Sequence, residues 1–85
     1  MDEVTYELAD LVATIIEPLI DEPESLEVTS EMYEPGHMLI EIKVSPDDVG
    51  KVIGRQGRII KSIRTVTRAA ASRQDLGVDV ELIDQ

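Results

Sequence analysis

Gly54 and Gly57 stand three residues apart in a stretch that otherwise has the makings of a helix, and no other feature limits the fold so tightly. The segment reads KVIGRQGRII over residues 51–60. Glycine is a poor helix former and the residue that most readily takes a positive φ. The pair predicts two helices joined by a tight turn, the first ending at Gly54 and the second running from near Gly57 to about Arg73. Upstream, Ser45 can cap the first helix, Pro46 suits its first position and Asp48 completes an S-x-x-D capping box. In the second helix, Ile59, Ile60, Ile63, Val66 and Ala70 share one arc, and Arg58, Lys61, Arg64 and Arg68 are assigned to the opposite arc.

The rest of the chain supplies a sheet and a further helix. Residues 3–17 carry Val4, Leu8, Leu11, Val12, Ile15 and Leu19 at helical spacing, and Pro18 ends or kinks that helix near Glu17. DEPES, residues 21–25, reads as a linker. Leu26, Val28, Ser30 and Met32 then alternate with polar residues, as do Met38, Ile40, Ile42 and Val44. Pro35-Gly36 between them suits a hairpin turn. Val78, Val80 and Leu82 form a last strand after a turn at 75–77. The order α-β-β-α-α-β predicts an α+β domain, a three-stranded sheet with helices packed on one face.

Eighty-five residues allow one small domain, residues 1–85. The absence of cysteine excludes disulfides and thiolate metal sites and suits a reducing compartment. No apolar run approaches the length of a membrane span, and the acidic N-terminus lacks the basic start of a secretion signal, so a soluble cytoplasmic protein is expected.

The net charge of −10 is unevenly spread. Twelve acids and no Lys or Arg occupy residues 1–42, whereas residues 49–74 hold seven bases and no acid. Salt screens charges beyond about 8–10 Å, so a polyanion touching the basic stretch senses the local patch more than the total. A solvated helix face that merely balances acids elsewhere is the plain alternative.

Two phosphate-binding motifs fail at the glycine turn. A dinucleotide fingerprint ending at Gly57 needs glycine where Val52 stands, and it needs a preceding strand. A P-loop needs lysine and a hydroxyl residue directly after glycine, but Gly54 precedes Arg55 and Gln56, and Gly57 precedes Arg58 and Ile59. What remains is a turn whose missing Cβ atoms admit a sugar-phosphate backbone and whose following helix offers unpaired N–H groups at its positive end. Arg55 adds charge, Gln56 can donate or accept, and Val52 and Ile53 offer an apolar wall for bases. Lys51, Arg58 and Lys61 lie close by as further phosphate contacts. Tyr6 and Tyr33 are the only aromatic residues besides His37, which disfavours folds that stack bases on strand aromatics. His37 has no second histidine or cysteine as a metal partner, and no nucleophile–base set can be assembled, so no enzyme is expected.

VIGRQGRIIKSI, residues 52–63, resembles the V-I-G-x-x-G-x-x-I-x-x-I signature of KH domains, matching at Val52, Ile53, Gly54, Gly57, Ile60 and Ile63. The element order resembles the type II, bacterial-like arrangement, and the size together with the SPDDVGKVIGRQGRIIKSIRTV stretch resembles the KhpA family of small single-KH-domain bacterial proteins. The resemblance covers nearly the whole chain. It implies a non-catalytic protein that holds about four unpaired nucleotides in a narrow groove, with Gly54, Arg55, Gln56 and Gly57 clamping the backbone. Val52 and Ile53 would then belong to the groove floor, with the sheet edge from the hairpin as the other wall. Ile40 and Ile42 could reach that wall, although core packing is the reading preferred for them. The resemblance further implies an RNA chaperone or post-transcriptional regulator linked to cell shape. Single-stranded RNA would be its partner, together with a second KH-domain protein (KhpB-like) or another copy of itself. It implies no cofactor, no metal and no small-molecule substrate. RNA and single-stranded DNA remain equally open to a backbone clamp, and a protein–protein interaction module with weak or no RNA binding remains the alternative.

Overall fold

The computed structural model describes residues 3–83, with side chains from residue 6 onward. Helix α1 spans Glu3–Ile16, strands β1 and β2 span Glu27–Glu34 and His37–Lys43, the short helix α2 spans Val49–Ile53, helix α3 spans Arg58–Ser72, and strand β3 spans Gly77–Leu82. Single 3₁₀ turns occupy residues 17–19, 23–25, 46–48 and 55–57. This is the α-β-β-α-α-β order expected from the periodicity.

The sheet runs β1-β2-β3. β1 pairs antiparallel with β2, and β2 pairs parallel with β3. A parallel neighbour cannot be reached through a tight turn, so the chain must cross over, and α2, the glycine turn and α3 are that crossover. The glycine-turn stretch is thus also the link that closes the sheet. At the hairpin, Pro35 cannot take the positive φ that mirror-type hairpin turns need at their first position, while Gly36 has φ +80°. The register shifts beside this turn, between Met32 and Glu34. A bulge there adds the local twist that the turn lacks.

All helices lie on one side of the sheet. Met38, Ile40, Ile42 and Val44 point into that layer with no solvent exposure, joined by Val78 and Val80 of β3. Ile40 and Ile42 are therefore core residues. α1 contributes Leu8, Val12 and Ile16, and its axis continues to a buried Ile20. The buried face of α1 is centred on Ile16 rather than Ile15, which is only half-buried. Val4, assigned by sequence to this face, lies outside the described side chains.

The buried arc of α3 also differs from the expected one. Ile60, Ile63, Thr67 and Ala71 face the core, while Val66 is 47% exposed. At 3.6 residues per turn Arg64 lies only about 40° around the helix from Ile60, so it shares the sheet-facing side instead of the opposite arc. Thr67 is accommodated in the core because its hydroxyl donates back to the Ile63 carbonyl at 2.6 Å.

The capping box does not form. Ser45 Oγ accepts weakly from the Asp47 N–H at 3.4 Å, but the Asp48 carboxylate turns inward to other partners. Residues 46–48 form a 3₁₀ turn rather than an α-helical first turn.

Ile16 is fully buried between α1 and the sheet. Ile16→Ala is expected to lower unfolding free energy by about 2–5 kcal/mol through lost burial and a residual cavity. Urea denaturation followed by circular dichroism, with an unchanged m-value, checks this.

Candidate nucleic-acid interface

The turn between α2 and α3 holds three residues at positive φ. Gly54 has φ 75° and ψ 177°, Gln56 has φ 57° and ψ 24°, and Gly57 has φ 74° and ψ 16°. Gly54 N–H closes α2 on the Gly50 carbonyl at 2.9 Å, and Gly57 N–H returns to the Gly54 carbonyl at 3.2 Å. The left-handed conformation costs a non-glycine residue about 1–2 kcal/mol, and Gln56 bears it. Its side-chain carbonyl accepts from Arg58 Nη2 at 3.2 Å, which fixes the loop's outer surface.

The two glycines do different work. A Cβ on Gly54 would stand 2.6 Å from Ile59 Cγ1, so the missing side chain leaves room for an internal neighbour rather than for a ligand. A Cβ on Gly57 would meet nothing closer than Lys61 Cε at 3.9 Å. The open approach that both glycines were expected to offer exists at Gly57 alone.

Arg55, Gln56, Arg58 and Lys61 are exposed around this turn, and none of the three cations forms an ion pair among the described residues. The Gly57 N–H is bonded to the Gly54 carbonyl and the Arg58 N–H to the Arg55 carbonyl, so the turn's own backbone uses the first donors at the start of α3. Lys51 is placed differently. Its ammonium contacts Asp21 at 2.8 Å and Asp48 at 3.2 Å. Its hydrogen bond to Asp21, then that to Asp48, raises its pKa above the ordinary lysine value. Phosphate would have to displace those acids to reach it.

Asp48 is the one buried charged residue among those described, with no solvent exposure. Its Oδ1 accepts from the Asp21 N–H at 3.1 Å and its Oδ2 from the Glu22 N–H at 3.0 Å. Ser45 Oγ donates to Glu22 Oε2 at 2.8 Å beside it. The Asp21 N–H does most to lower the Asp48 pKa, the Glu22 N–H and Lys51 add to it, and burial opposes them. This network was not legible in the sequence, since Asp48 and Asp21 are 27 positions apart.

Beside the turn lies an apolar groove of about 370 Å³, lined by Val49, Ile53, Ile60, Arg64 and Leu82. Its walls are α2, α3 and the end of β3. The hairpin edge was expected here, but β1 sits at the far side of the sheet and β3 is the edge next to α3. Ile53 is 38% exposed at the groove, whereas Val52 is wholly buried and supports the floor from below. Arg64, left out of the expected contact set, donates from Nε to the Val80 carbonyl at 3.0 Å and so joins α3 to β3 across the groove. The signal for it was its angle from Ile60.

Residues 9–82 match the family model described as KhpA/KhpB, KH domain. The chain belongs to that family. An RNA-binding protein KhpA from Clostridium perfringens is 47% identical over 76 residues, 89% of this chain and 100% of the relative. One from Caldanaerobacter subterraneus subsp. tengcongensis is 46% identical over the same lengths, and one from Listeria monocytogenes is 38% identical over 77 residues, 91% of this chain and 100% of the relative. Among solved structures, Aquifex aeolicus Era bound to GDP·AlF4⁻ superposes with a TM-score of 0.64 at 20% identity, covering 100% of this chain and 33% of that one. Era in complex with MgGDPNP and nucleotides 1506–1542 of 16S ribosomal RNA gives 0.62 at 20% identity, covering 99% of this chain. The chain thus spans a third of Era's length and has the fold of its matching part, the type II KH fold. No helix among the described residues is long and apolar enough to cross a membrane.

Two expectations follow from the geometry. Gly54→Ala should destabilise the fold more than Gly57→Ala, because it adds a clash with Ile59 to the strain of positive φ; for Gly57→Ala that strain alone is about 1–2 kcal/mol. Thermal melts of both variants measure the difference. Asp48, whose folded pKa lies below the ordinary 3.8, contributes stability that is present above that value and lost as pH falls through the lower folded one. Urea midpoints measured from pH 6 down to pH 2 should fall, and Asp48→Asn should flatten that acid limb.

Proposed function

We propose that this chain is a non-catalytic RNA-binding protein that grips a short unpaired segment at the GRQG turn and lays its bases along the neighbouring groove. The observation that carries this reading is the juxtaposition of open Gly57, three cations without acid partners, and an apolar groove. Gly54 and Gly57 shape the clamp, Arg55 and Gln56 present its donors, and Arg58 and Lys61 add charge. Ile53, held up by Val52, meets the bases. Lys51 contributes less, because it is engaged by Asp21 and Asp48. The relatives' name, RNA-binding protein KhpA, supports RNA as the ligand.

One groove contacts few nucleotides, so affinity should be modest and salt-sensitive, and a second KH domain would raise it through avidity. An RNA chaperone or post-transcriptional regulator in the cytoplasm, acting without cofactor, fits such loose binding. A second reading, contact with another KH-domain protein (KhpB-like) or another copy of this chain, is favoured by one surface. Ile15, Ile59, Ile63 and the exposed Val66, with Arg58 and Ser62, line a mostly apolar hollow of about 360 Å³ between α1 and α3. The two surfaces adjoin at Arg58, which borders both the turn and the hollow.

Titration of a fluorescent hexauridylate at several salt concentrations tests the clamp. Each lost phosphate contact should reduce the slope of log K against log salt by about 0.7. Arg55→Gln is expected to show that drop, and Lys51→Gln a smaller one. An Arg55→Gln, Arg58→Gln double variant with the parent's affinity and slope would refute the proposal. The same titration with the deoxy oligomer compares RNA with DNA.

A further inference from the structure

Helix α3 carries more positive charge than the clamp uses. At about 100° per residue, Thr65, Arg68 and Ser72 lie within about 40° of Lys61 around the helix, and Arg58 lies about 60° from it. All five are exposed, and the buried Ile60, Ile63, Thr67 and Ala71 take the other side. Residues 49–74 contain no acid, although the chain holds 18. Arg58, Lys61 and Arg68 form no ion pair among the described residues. A surface helix is ordinarily supported by opposite charges three or four positions apart. Here those spacings set cation against cation: Arg58 with Lys61, Lys61 with Arg64, and Arg64 with Arg68. Such pairs destabilise a helix, and Arg58 and Lys61 also stand at the positive end of its dipole. A polyanion laid along this stripe relieves both effects.

The stripe continues from the groove. Arg64 lines the groove and donates from Nε to the Val80 carbonyl of β3 at 3.0 Å. Arg68 stands one turn farther along α3 and about 40° toward solvent. From Arg58 to Arg68 the stripe runs about 15 Å, at 1.5 Å per residue. Between its cations Thr65 is held back, donating its hydroxyl to the Lys61 carbonyl at 3.0 Å. The stripe presents cations and hydroxyls but no apolar or aromatic side chain, so it suits a sugar-phosphate backbone and not bases. We propose that the binding site extends past the groove along the solvent face of α3, where Arg68 holds a phosphate of the strand after it leaves the groove. This inference rests on the RNA-binding reading and deepens it by adding a backbone subsite outside both the GRQG clamp and the groove.

The test uses labelled tetrauridylate, matched to a groove of about four nucleotides, with and without a tail of abasic ribose phosphates at its 5′ or 3′ end. Abasic units supply phosphates without giving the groove a second place to bind. Fluorescence anisotropy at several salt concentrations reads affinity and its salt slope. For the parent, one of the two tails should steepen the slope of log K against log salt by about 0.7, which is about 5-fold tighter binding near 0.1 M salt. Arg68→Gln should remove that gain while circular dichroism shows an intact fold. Arg73→Gln makes the same change of charge about 140° around the helix from Arg68, and the gain should survive it. The inference is overturned, and the clamp left standing, if neither tail tightens binding, if both tighten it alike, if Arg73→Gln removes the gain as fully, or if Arg68→Gln weakens untailed tetrauridylate by the same factor. A parent that binds no oligomer, tailed or not, overturns both.

Discussion

A buried carboxylate holds the interface in place. Asp48 has no contact with solvent, yet it carries charge because two backbone N–H groups and one ammonium surround it. The N–H groups belong to residues 21 and 22, in the connection between α1 and β1, and the ammonium belongs to Lys51 in α2. A helix of five residues has little stability of its own, since helix formation becomes favourable only after a costly nucleus is made. Anchoring its first turn to a distant part of the backbone replaces the missing length. The direction in which α2 delivers the chain to Gly54 is therefore set by Asp48 as much as by α2 itself. Removing one partner would leave a buried charge uncompensated, so the network acts as a unit.

From that anchor the interface is built in two layers. Val52 and Ile60 lie inward, Ile59 fills the space beneath Gly54, and the exposed turn is left to Arg55, Gln56 and Gly57. The backbone of the turn is thereby supported by apolar contacts that do not compete for its hydrogen-bonding groups. Charge is divided in the same sense. Odd-numbered positions of the strands, including Glu27, Glu31, Glu41, Asp79 and Glu81, face the side of the sheet away from the helices. On that side Tyr33 donates to Asp79 at 3.2 Å, and His37 approaches the same carboxylate at 3.4 Å, tying three strands together. The seven cations of residues 49–74 belong to the helices and the turn on the other side, whereas Lys43, opposite Glu27, shares the acidic face. Acids also lie on the helical side, where Glu7 of α1 lines a hollow with Arg73, so a molecule with a net charge of −10 can hold a polyanion only where acids are absent, as at the turn, with salt screening the more distant acids. The opposing acids also limit nonspecific attraction, leaving short-range contacts at the turn and groove to decide what binds.

Element order, the hairpin, the first helix's end at Gly54, the second's to within a residue (about Arg73 against Ser72), and the alternation of β2 and β3 were all readable from local pattern. Alternation and helical periodicity are short-range properties, and glycine and proline act on their own φ angles wherever they stand. So the sequence by itself determined a helix, a hairpin and a helix–turn–helix with a positively charged turn. It could not decide which flank of each helix is most deeply buried, because that depends on the angle at which α3 meets β3. Hence Val66 was placed inward and Arg64 outward, and the structure reverses both. Nor could it pair Asp48 with Asp21, since a local capping box offered the same carboxylate a plausible partner three residues away. Only the tertiary structure decided that β3, not the hairpin, borders the groove, that Gly54 faces Ile59 while Gly57 faces outward, and that Lys51 serves the anchor before the ligand. Each of these is a choice between partners far apart in the chain, and such choices are made by packing the layers together rather than by any property of the local segment.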